Sequence, residues 1–357
     1  MAVEKPLTIL IIGTLPPPLG GAGVSLTHLI GRLAQREDVR AIVVNTGGVR
    51  GHPIIGPFRF LKIILRVFRG ALKADVVSLQ TVPSGLPFIA PFAWAFARLW
   101  GKPFMIRMFG GQDFRRLPGI RGNIVRWFVR RTDLYLAQTK ALVASAKEDR
   151  LARVEWYPTS RPMRAASEVF AVKKDRCRRF VYLGLVRWTK GITELISAAE
   201  RLPDDAVIDV YGPMMDGVSE TDFAGLRRVR YCGVVPGGEG DRVLSGYDCL
   251  LLPTYWRGEG YPGVIPEAFG AGLPVITTNW MSIPELVDDS CGVLIEPKSA
   301  DALYDAMHRL YSDDRLFVQL REGVRKKREF FNTDRWVERF VELCGELVEP
   351  CKAKVPV

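Results

Sequence analysis

Short apolar runs alternate with helical patterns along the whole 357-residue chain, and this alternation constrains the fold more than any other feature. Strands of a parallel sheet are buried on both faces and read as continuous apolar runs joined by helical crossovers. The pattern therefore predicts an α/β fold with doubly wound parallel sheets. Strands are expected at 8–12, 41–44, 76–79, 104–108, 134–137, 180–183, 207–211, 250–252 and 275–277.

The alternation is interrupted around WYPTSRPMR, residues 156–164, and then restarts. Prolines and polar residues break regular structure, and a chain of this length exceeds one comfortable core. We therefore predict two Rossmann-like domains, residues 1–165 and 166–331, that face each other across a cleft. A last segment, 332–357, contains a helix with one apolar face formed by Trp336, Phe340, Leu343 and Leu347.

The cysteines and the apolar stretches bear on the compartment. All six cysteines lie between residues 177 and 351 without a Cys-x2-Cys pair, which favours reduced thiols in a cytosol over a zinc site or disulfides. The longest apolar stretch, 86–97, is about 12 residues and contains two prolines, whereas a spanning helix needs about 20. With no visible secretory signal, we expect a cytoplasmic protein that does not cross a membrane.

The net charge of +11 is unevenly distributed. Residues 1–165 carry 25 Lys+Arg against 9 Asp+Glu, a balance of +16, while the remaining residues carry a balance of −5. This asymmetry predicts that the first half faces an anionic partner, either a phospholipid surface or nucleic acid.

The stretch TYWRGEGYPGVIPEAFGAGLPVIT, residues 254–277, holds two glutamates eight positions apart. Glu259 lies in a Gly/Pro loop and Glu267 in the first turn of the next helix, where Pro266 is well tolerated. Glycines allow close approach to a ligand, and the free N–H groups of a helix start favour a diphosphate. One carboxylate could bind sugar hydroxyls and the other a ribose, although a capping glutamate beside a solvated one fits equally.

The second motif is GLVRWTKG, residues 184–191, directly after a predicted strand. Arg187 and Lys190 supply a guanidinium fork and an ammonium, which suit two phosphates and a departing nucleoside diphosphate. The alternative interpretation is that both residues are ordinary surface cations in a loop, without a ligand.

A third motif, PPPLGGAG at 16–23, joins the first strand to the first helix. It resembles a loop that cradles phosphate, but it lacks the Gly-x-Gly-x-x-Gly fingerprint of dinucleotide-binding domains.

Taken in order, these motifs resemble the family-four retaining glycosyltransferases of the GT-B fold. The resemblance rests on Lys190-Gly191, Glu259-x7-Glu267, Gly272-Leu273-Pro274-Val275 and Pro284-Glu285, with the Gly20-Gly21 loop in the first domain. It covers nearly the whole chain and is densest from residue 180 to about residue 331.

The resemblance implies a role for each matching residue. Glu259 would contact the hydroxyls of the donor sugar, Glu267 the ribose and Lys190 the diphosphate. Gly263 and Val264 would offer backbone N–H groups to the sugar or β-phosphate. The predicted donor-binding set is completed by Gly20, Gly21, Gly260 and Tyr261. The resemblance also implies that the last helix crosses back onto the first domain.

Two departures from the family pattern affect the predicted site. Leu185 follows Gly184 where the family usually has arginine, so Arg187 is the candidate substitute and, with Glu259 and Lys190, completes the predicted catalytic group. Phe109 precedes Gly110 where the family often has histidine. We therefore take Gly110 and its polar neighbours Arg107 and Asp113 as candidates on the acceptor side.

The resemblance implies front-face attack, in which the nucleoside diphosphate leaves and its own phosphate oxygen accepts the proton of the incoming hydroxyl. Arg187 and Lys190 would stabilise the leaving group. No Asp-x-Asp triplet occurs in the sequence, so we predict no metal and no other cofactor. A sugar-nucleotide epimerase or a phosphorylase on the same fold is the alternative enzyme.

The acceptor is predicted to be a saccharide or a lipid-linked saccharide in surface polysaccharide or envelope glycan assembly. Segments 58–69 and 120–131 mix arginines with large apolar residues, which suits either an anionic membrane surface or helices that cover the sheet with snorkelling arginines. The first reading places the enzyme peripherally on the inner membrane face. No helix-turn-helix, RNP-like or zinc-finger motif supports a nucleic-acid partner.

Overall fold

The chain forms two compact units, Met1–Ser160 with Thr333–Val357 and Arg161–Asn332. The sequence placed these divisions at residues 165 and 331. The computed structural model describes residues 5–17, 20–47, 55–236 and 238–352.

The first unit contains a six-stranded parallel sheet in the order β2-β1-β3-β4-β5-β6. Its strands are β1 (Leu7–Gly13), β2 (Val39–Asn45), β3 (Val76–Thr81), β4 (Phe104–Met108), β5 (Leu134–Ala137) and β6 (Val154–Trp156). The residues Ile9, Leu10, Ile11 and Ile12 of β1 are all fully buried. An apolar run of this kind fits a central strand that is covered on both faces.

Helices connect these strands: α1 (Gly21–Leu33), α2 (Ile55–Lys73), α3 (Leu86–Leu99), α4 (Gly119–Val129) and α5 (Lys140–Glu148). The helix α3 takes up the longest apolar stretch of the sequence, with Pro91 inside it. No helix in the described part of the chain is long and apolar enough to cross a bilayer.

The second unit repeats the architecture with the order β12-β11-β10-β7-β8-β9, again parallel. Its strands are β7 (Arg179–Leu183), β8 (Val207–Tyr211), β9 (Val229–Tyr231), β10 (Cys249–Leu252), β11 (Val275–Thr278) and β12 (Gly292–Ile295). Its helices are α6 (Ala166–Val169), α7 (Ile192–Ala199), α8 (Gly240–Ser245), α9 (Val264–Gly270), α10 (Ala300–Ser312) and α11 (Asp314–Lys327).

The last helix, α12 (Thr333–Lys352), belongs to the first unit, where it packs against α1 and β3. Its apolar residues Trp336, Phe340, Leu343 and Leu347 are buried. The hydroxyl of Tyr157 donates to the backbone oxygen of Trp336 at 2.7 Å.

Two doubly wound parallel sheets with flanking helices confirm the predicted α/β fold class. The sequence missed three short strands, β6, β9 and β12, all at sheet edges. The strands β6 (VEW) and β9 (VRY) are three residues long with a charged residue in the middle, so they lack the continuous apolar run that identifies a central strand. The strand β12 (GVLI) does contain an apolar run, but only of three residues. A 3-10 turn at Arg328–Phe331 follows α11.

Candidate functional site

Within the second unit, the loops after β7 and β10 are joined directly. The strands are neighbours, so their carboxyl ends lie at the same edge of the sheet. The turn Trp188–Lys190 after β7 accepts a hydrogen bond at the Thr189 oxygen from the N–H of Tyr255 after β10, at 3.0 Å. Gly191 ends this turn with a φ of +81°, and a Cβ there would lie 2.2 Å from the backbone oxygen of Pro253. Only glycine permits this approach.

This junction brings two predicted catalytic residues into contact. The ammonium of Lys190 donates to Oε2 of Glu259, and Thr254 donates its hydroxyl to the same oxygen at 3.0 Å. All three residues are buried, with exposed fractions of 8%, 5% and 0%. The pair is therefore a buried ion pair at the carboxyl end of the sheet, with each charge compensated by the other.

The third predicted catalytic residue, Arg187, directly precedes the turn Trp188–Lys190 and forms a separate ion pair. Its guanidinium contacts Asp216, which follows β8. The Nε atom of Arg187 is buried and has no hydrogen-bond partner among the described residues. Burial of an N–H without a partner is costly, so this donor would gain from a ligand oxygen if the side chains around it moved.

An aromatic ring links the two cations. The indole of Trp256 has its centroid 5.6 Å from the guanidinium carbon of Arg187 and 5.1 Å from Nζ of Lys190. A Cβ at Gly258 would lie 2.6 Å from this indole, so glycine there leaves room for the ring. Sequence reasoning missed Trp256, although an aromatic residue in a Gly-rich loop after a strand was a usable signal.

Glu267 lies in the first turn of α9 and is paired with Arg161. The side chain of Arg161 is 4% exposed, and its Nη2 would lie 1.8 Å from a Cβ at Gly263. The guanidinium therefore lies against the backbone at the start of the helix, at the residue expected to face the donor. Sequence reasoning missed Arg161, because SRPMR was interpreted only as a linker.

The neighbouring loop residues are buried. Gly260 and Tyr261 are both enclosed, and the hydroxyl of Tyr261 donates to Oε2 of Glu285. This bond ties the Glu259 loop to the Pro284-Glu285 motif. Val264, next to Gly263, begins α9 and is half-buried.

In the first unit, Arg107 is 3% exposed at the end of β4. Its guanidinium carbon lies 4.5 Å from the ring centroid of Phe109 and 4.3 Å from that of Tyr157. It donates to Oε1 of Gln80 and to the oxygen of Pro158, both at 3.4 Å. Phe109, at the position where the family often has histidine, thus packs against a cation.

Asp113 caps the 3-10 turn Phe114–Arg116 by accepting the N–H of Arg115 at 2.9 Å. It also accepts the hydroxyl of Ser145 at 2.6 Å and forms an ion pair with Arg115 at 3.1 Å. Burial raises the pKa of Asp113, but the hydrogen bonds from Arg115 and Ser145 outweigh it and hold the pKa below its usual range. Its carboxylate is ionised at neutral pH and already has partners.

The predicted glycines of this unit differ in their surroundings. Gly110 has a φ of +97°, and its N–H donates to Oε1 of Gln138 at 2.9 Å. Gly20 precedes α1 and Gly21 begins it, and a Cβ at either would meet nothing within 4 Å. The protein's own packing therefore does not require glycine at residues 20 and 21.

Among the described residues there is no group of three or more His, Cys, Asp or Glu side chains arranged to hold a metal ion.

The sequence of the second unit matches a known protein family. Residues 177–313 match the family described as glycosyl transferases group 1. This segment belongs to that family. The match confirms the resemblance drawn from the motifs, and it contains Arg187, Lys190, Glu259 and Glu267 but not Arg161.

A curated relative supports the same family. O-antigen chain mannosyltransferase C of Escherichia coli is 26% identical over 176 residues, which are 48% of this chain and 47% of that protein. The matched region thus spans less than half the length of this relative.

Solved glycosyl transferases share the fold over nearly the whole chain. Anabaena HepE, determined in complex with UDP, gives a TM-score of 0.71 at 14% identity and covers 95% of this chain and 100% of its own. Sucrose-phosphate synthase of Thermosynechococcus elongatus gives 0.73 at 15% identity and covers 96% and 100%. The likeness shows the GT-B fold, as predicted from the sequence.

Proposed function

We propose that this protein is a retaining glycosyltransferase that moves a sugar from a nucleoside diphosphate donor to a saccharide or lipid-linked saccharide acceptor. The observation that carries the proposal is the buried pair of Lys190 and Glu259, with Arg187 nearby, at the carboxyl end of a doubly wound sheet. Ligands of open α/β sheets bind at this edge. The group 1 family match over the same residues supports the reaction class.

In the proposed reaction, the bond between the anomeric carbon and the β-phosphate oxygen breaks while the acceptor hydroxyl attacks from the same face. The proton of that hydroxyl goes to the departing phosphate oxygen. Negative charge therefore grows on the nucleoside diphosphate, where the ammonium of Lys190 and the guanidinium of Arg187 would stabilise it. The Asp216 contact does not use the Nε of Arg187, so a phosphate oxygen that reached this buried donor would complete its hydrogen bonding.

Glu259 would accept hydrogen bonds from hydroxyls of the donor sugar. Lys190 and Thr254 both bind its Oε2, which holds the carboxylate in one orientation. Gly260 and Tyr261 would support the same loop, since Tyr261 is tied to Glu285. Glu267 would bind the ribose, and Gly263 and Val264 would offer backbone N–H groups.

For the acceptor side we retain Arg107, Gly110 and Asp113, and for donor approach Gly20 and Gly21. HepE was solved with UDP, and the Escherichia coli relative is an O-antigen chain mannosyltransferase. By analogy, we propose a nucleotide sugar donor and an acceptor in surface polysaccharide or envelope glycan synthesis. The enzyme would act in the cytoplasm, peripherally on the membrane if the acceptor is lipid-linked, without a metal.

A thermal-shift screen against UDP, GDP and their sugars tests the proposal. A ligand present at 100 times its Kd stabilises the folded state by about 2.7 kcal/mol, which raises the Tm measurably. At least one nucleoside diphosphate should raise the Tm, and its sugar should be consumed with release of the diphosphate in the presence of EDTA. A screen without any shift and without donor turnover would contradict the proposal. Loss of turnover in EDTA, restored by magnesium or manganese, would contradict only metal independence.

Replacing Glu267 by alanine should weaken binding of the free nucleoside diphosphate. The change removes the carboxylate proposed to hold the ribose and leaves the buried guanidinium of Arg161 without that partner. Loss of a charged hydrogen bond is worth about 1.5 to 3 kcal/mol, so Kd should rise about tenfold or more. Titration calorimetry measures the change. Asp241→Asn is the matched control, because it removes a carboxylate from an exposed ion pair with Arg164 in the same unit. Equal affinities of the two variants would contradict the ribose role.

A further inference from the structure

The outer surface of α2 combines two kinds of side chain that seldom share a water-exposed helix face. Phe58, Leu61, Leu65 and Leu72 are exposed, with fractions between 49% and 75%. Their spacing of three, four and seven residues puts them on one stripe of the helix. The opposite face carries the buried residues of α2 that cover the sheet, which are Ile63, Val67 and Ala71.

The apolar stripe continues onto α3. Phe60 of α2 packs against Phe92 of α3 with ring centroids 5.7 Å apart, and Phe92 and its neighbour Phe88 are themselves exposed. On the far side of α3, Trp94 packs against Trp127 of α4 at 5.2 Å, and Trp127 is also exposed. Three adjacent helices of the first unit thus expose large apolar side chains on the same side of the sheet. We call this surface the α2–α4 face.

The charges on this face have one sign. Along the described side chains of α2, α3 and α4 there is no Asp or Glu. The exposed cations of α2 flank its apolar stripe: Arg59, Lys62, Arg66, Arg69 and Lys73. Within the described residues, none of these five has an ion-pair partner. Their positive charge is therefore uncompensated by the protein.

Three basic residues of the same unit outside this face are paired with acidic residues of α12. The pairs are Arg32 with Asp334, Arg36 with Glu338 and Arg153 with Glu346. These carboxylates of α12 therefore neutralise cations away from the α2–α4 face. The fold separates the unpaired cations of α2 from the carboxylates of α12. The crossovers of a doubly wound sheet put α2, α3 and α4 on one side of the sheet and α1, against which α12 packs, on the other.

We propose that the α2–α4 face docks onto a bilayer that contains anionic lipid. Exposed leucines and phenylalanines would enter the boundary between headgroups and acyl chains, and the cations of α2 would lie among the phosphates. A second copy of the chain fits less well, because two such faces would bring ten unpaired cations of α2 together. The inference rests on the proposed function only in that a lipid-linked acceptor would explain why the enzyme needs this surface.

Flotation of the full-length protein with vesicles tests this proposal. The protein should float with vesicles of phosphatidylcholine and phosphatidylglycerol and stay in solution with phosphatidylcholine alone. Binding should fall steeply between low and high salt, because exposed charges are screened within a Debye length of about 8 Å at physiological ionic strength. Wild-type protein that stays in solution with anionic vesicles at low salt overturns the proposal.

Two variants and one control, each with several substitutions, separate the contributions of charge and of apolar side chains to vesicle binding. Changing the cations Arg59, Lys62, Arg66 and Arg69 to glutamine should weaken binding at least tenfold. Changing Phe58, Leu61 and Leu65 to serine should abolish the part of binding that survives high salt. The matched charge control is four exposed cations of the second unit changed to glutamine, namely Arg242, Arg309, Arg315 and Lys326. This control should bind as the wild type does, and equal loss in both charge variants would overturn the assignment to the α2–α4 face.

Two further measurements keep the outcomes distinct. The thermal shift by nucleoside diphosphate should be the same in all variants, which shows that they fold and separates failure of docking from failure of the proposed transferase activity. Size-exclusion chromatography with light scattering should give a monomer for the wild type. A wild-type dimer that dissociates in the Phe58, Leu61 and Leu65 variant would make a second copy the occupant and overturn the membrane proposal.

Discussion

Replacing Glu259 by glutamine is expected to lower donor turnover by about tenfold to over a hundredfold while leaving affinity for the free nucleoside diphosphate nearly unchanged. The range corresponds to the loss of one charged hydrogen bond in the transition state, about 1.5 to 3 kcal/mol. Glutamine keeps an oxygen that can accept from Lys190 and Thr254, so the geometry of the loop should survive. What is lost is the negative charge that would bind the sugar hydroxyls.

Steady-state release of the diphosphate measures turnover, and calorimetry measures nucleotide affinity. Glu329→Gln makes the same chemical change at a more exposed glutamate of the second unit and should retain wild-type values. Wild-type turnover in Glu259→Gln would remove Glu259 from the proposed mechanism. A large loss of nucleotide affinity would instead assign it to the nucleotide part of the donor.

The contact between Lys190 and Glu259 can be tested by measuring the energetic coupling of the two residues. Lys190→Met leaves the carboxylate of Glu259 buried with the hydroxyl of Thr254 as its recorded partner, and breaking a buried pair in this way costs about 3 to 5 kcal/mol of stability. The double variant Lys190→Met with Glu259→Gln should be more stable than the sum of the single changes predicts. Residues in direct contact couple in this way.

The sequence predicted the fold because central strands leave a local signal, and it offered candidate site residues from local signals of the same kind. Continuous apolar runs identify central strands, and a glycine-rich loop before a helix identifies the end of such a strand. Lys190, Glu259 and Glu267 were chosen as candidates in this way, and the structure places each of them in a loop after a strand or at a helix start.

The side chains that contact these candidate residues could not be predicted from local sequence, because tertiary contacts bring them together. Arg161 is 106 residues before Glu267 in the chain, and nothing near SRPMR indicates that its side chain reaches the start of α9. Asp216, in the loop after β8, pairs with Arg187, in the loop after β7. The sequence showed Lys190 and Glu259 as two separate ligand contacts, whereas the fold also makes them contacts of each other.

Replacing Gly191 by alanine should destabilise the second unit by about 4 kcal/mol or more, which is exceptional for the addition of one methyl group. Two penalties act together at this position. A left-handed φ costs a residue with a Cβ about 1 to 2 kcal/mol. In addition, the new Cβ would lie 2.2 Å from the oxygen and 2.8 Å from the carbon of Pro253, and backbone atoms at the end of β10 cannot move aside as a flexible side chain could.

Gly217→Ala separates the two penalties. Gly217 lies in the same unit with a φ of +82°, against +81° at Gly191, and a Cβ there would meet nothing within 4 Å. It should therefore lose only the backbone contribution of about 1 to 2 kcal/mol. Denaturant unfolding followed by tryptophan fluorescence compares the midpoints of the two variants.

Because Gly191 holds the Lys190 turn against the loop that carries Glu259, the Gly191 variant should also lose donor turnover, which Gly217→Ala should retain. Equal midpoints would mean that the contact between the two loops yields easily, and the buried pair would then owe its geometry to something other than Gly191.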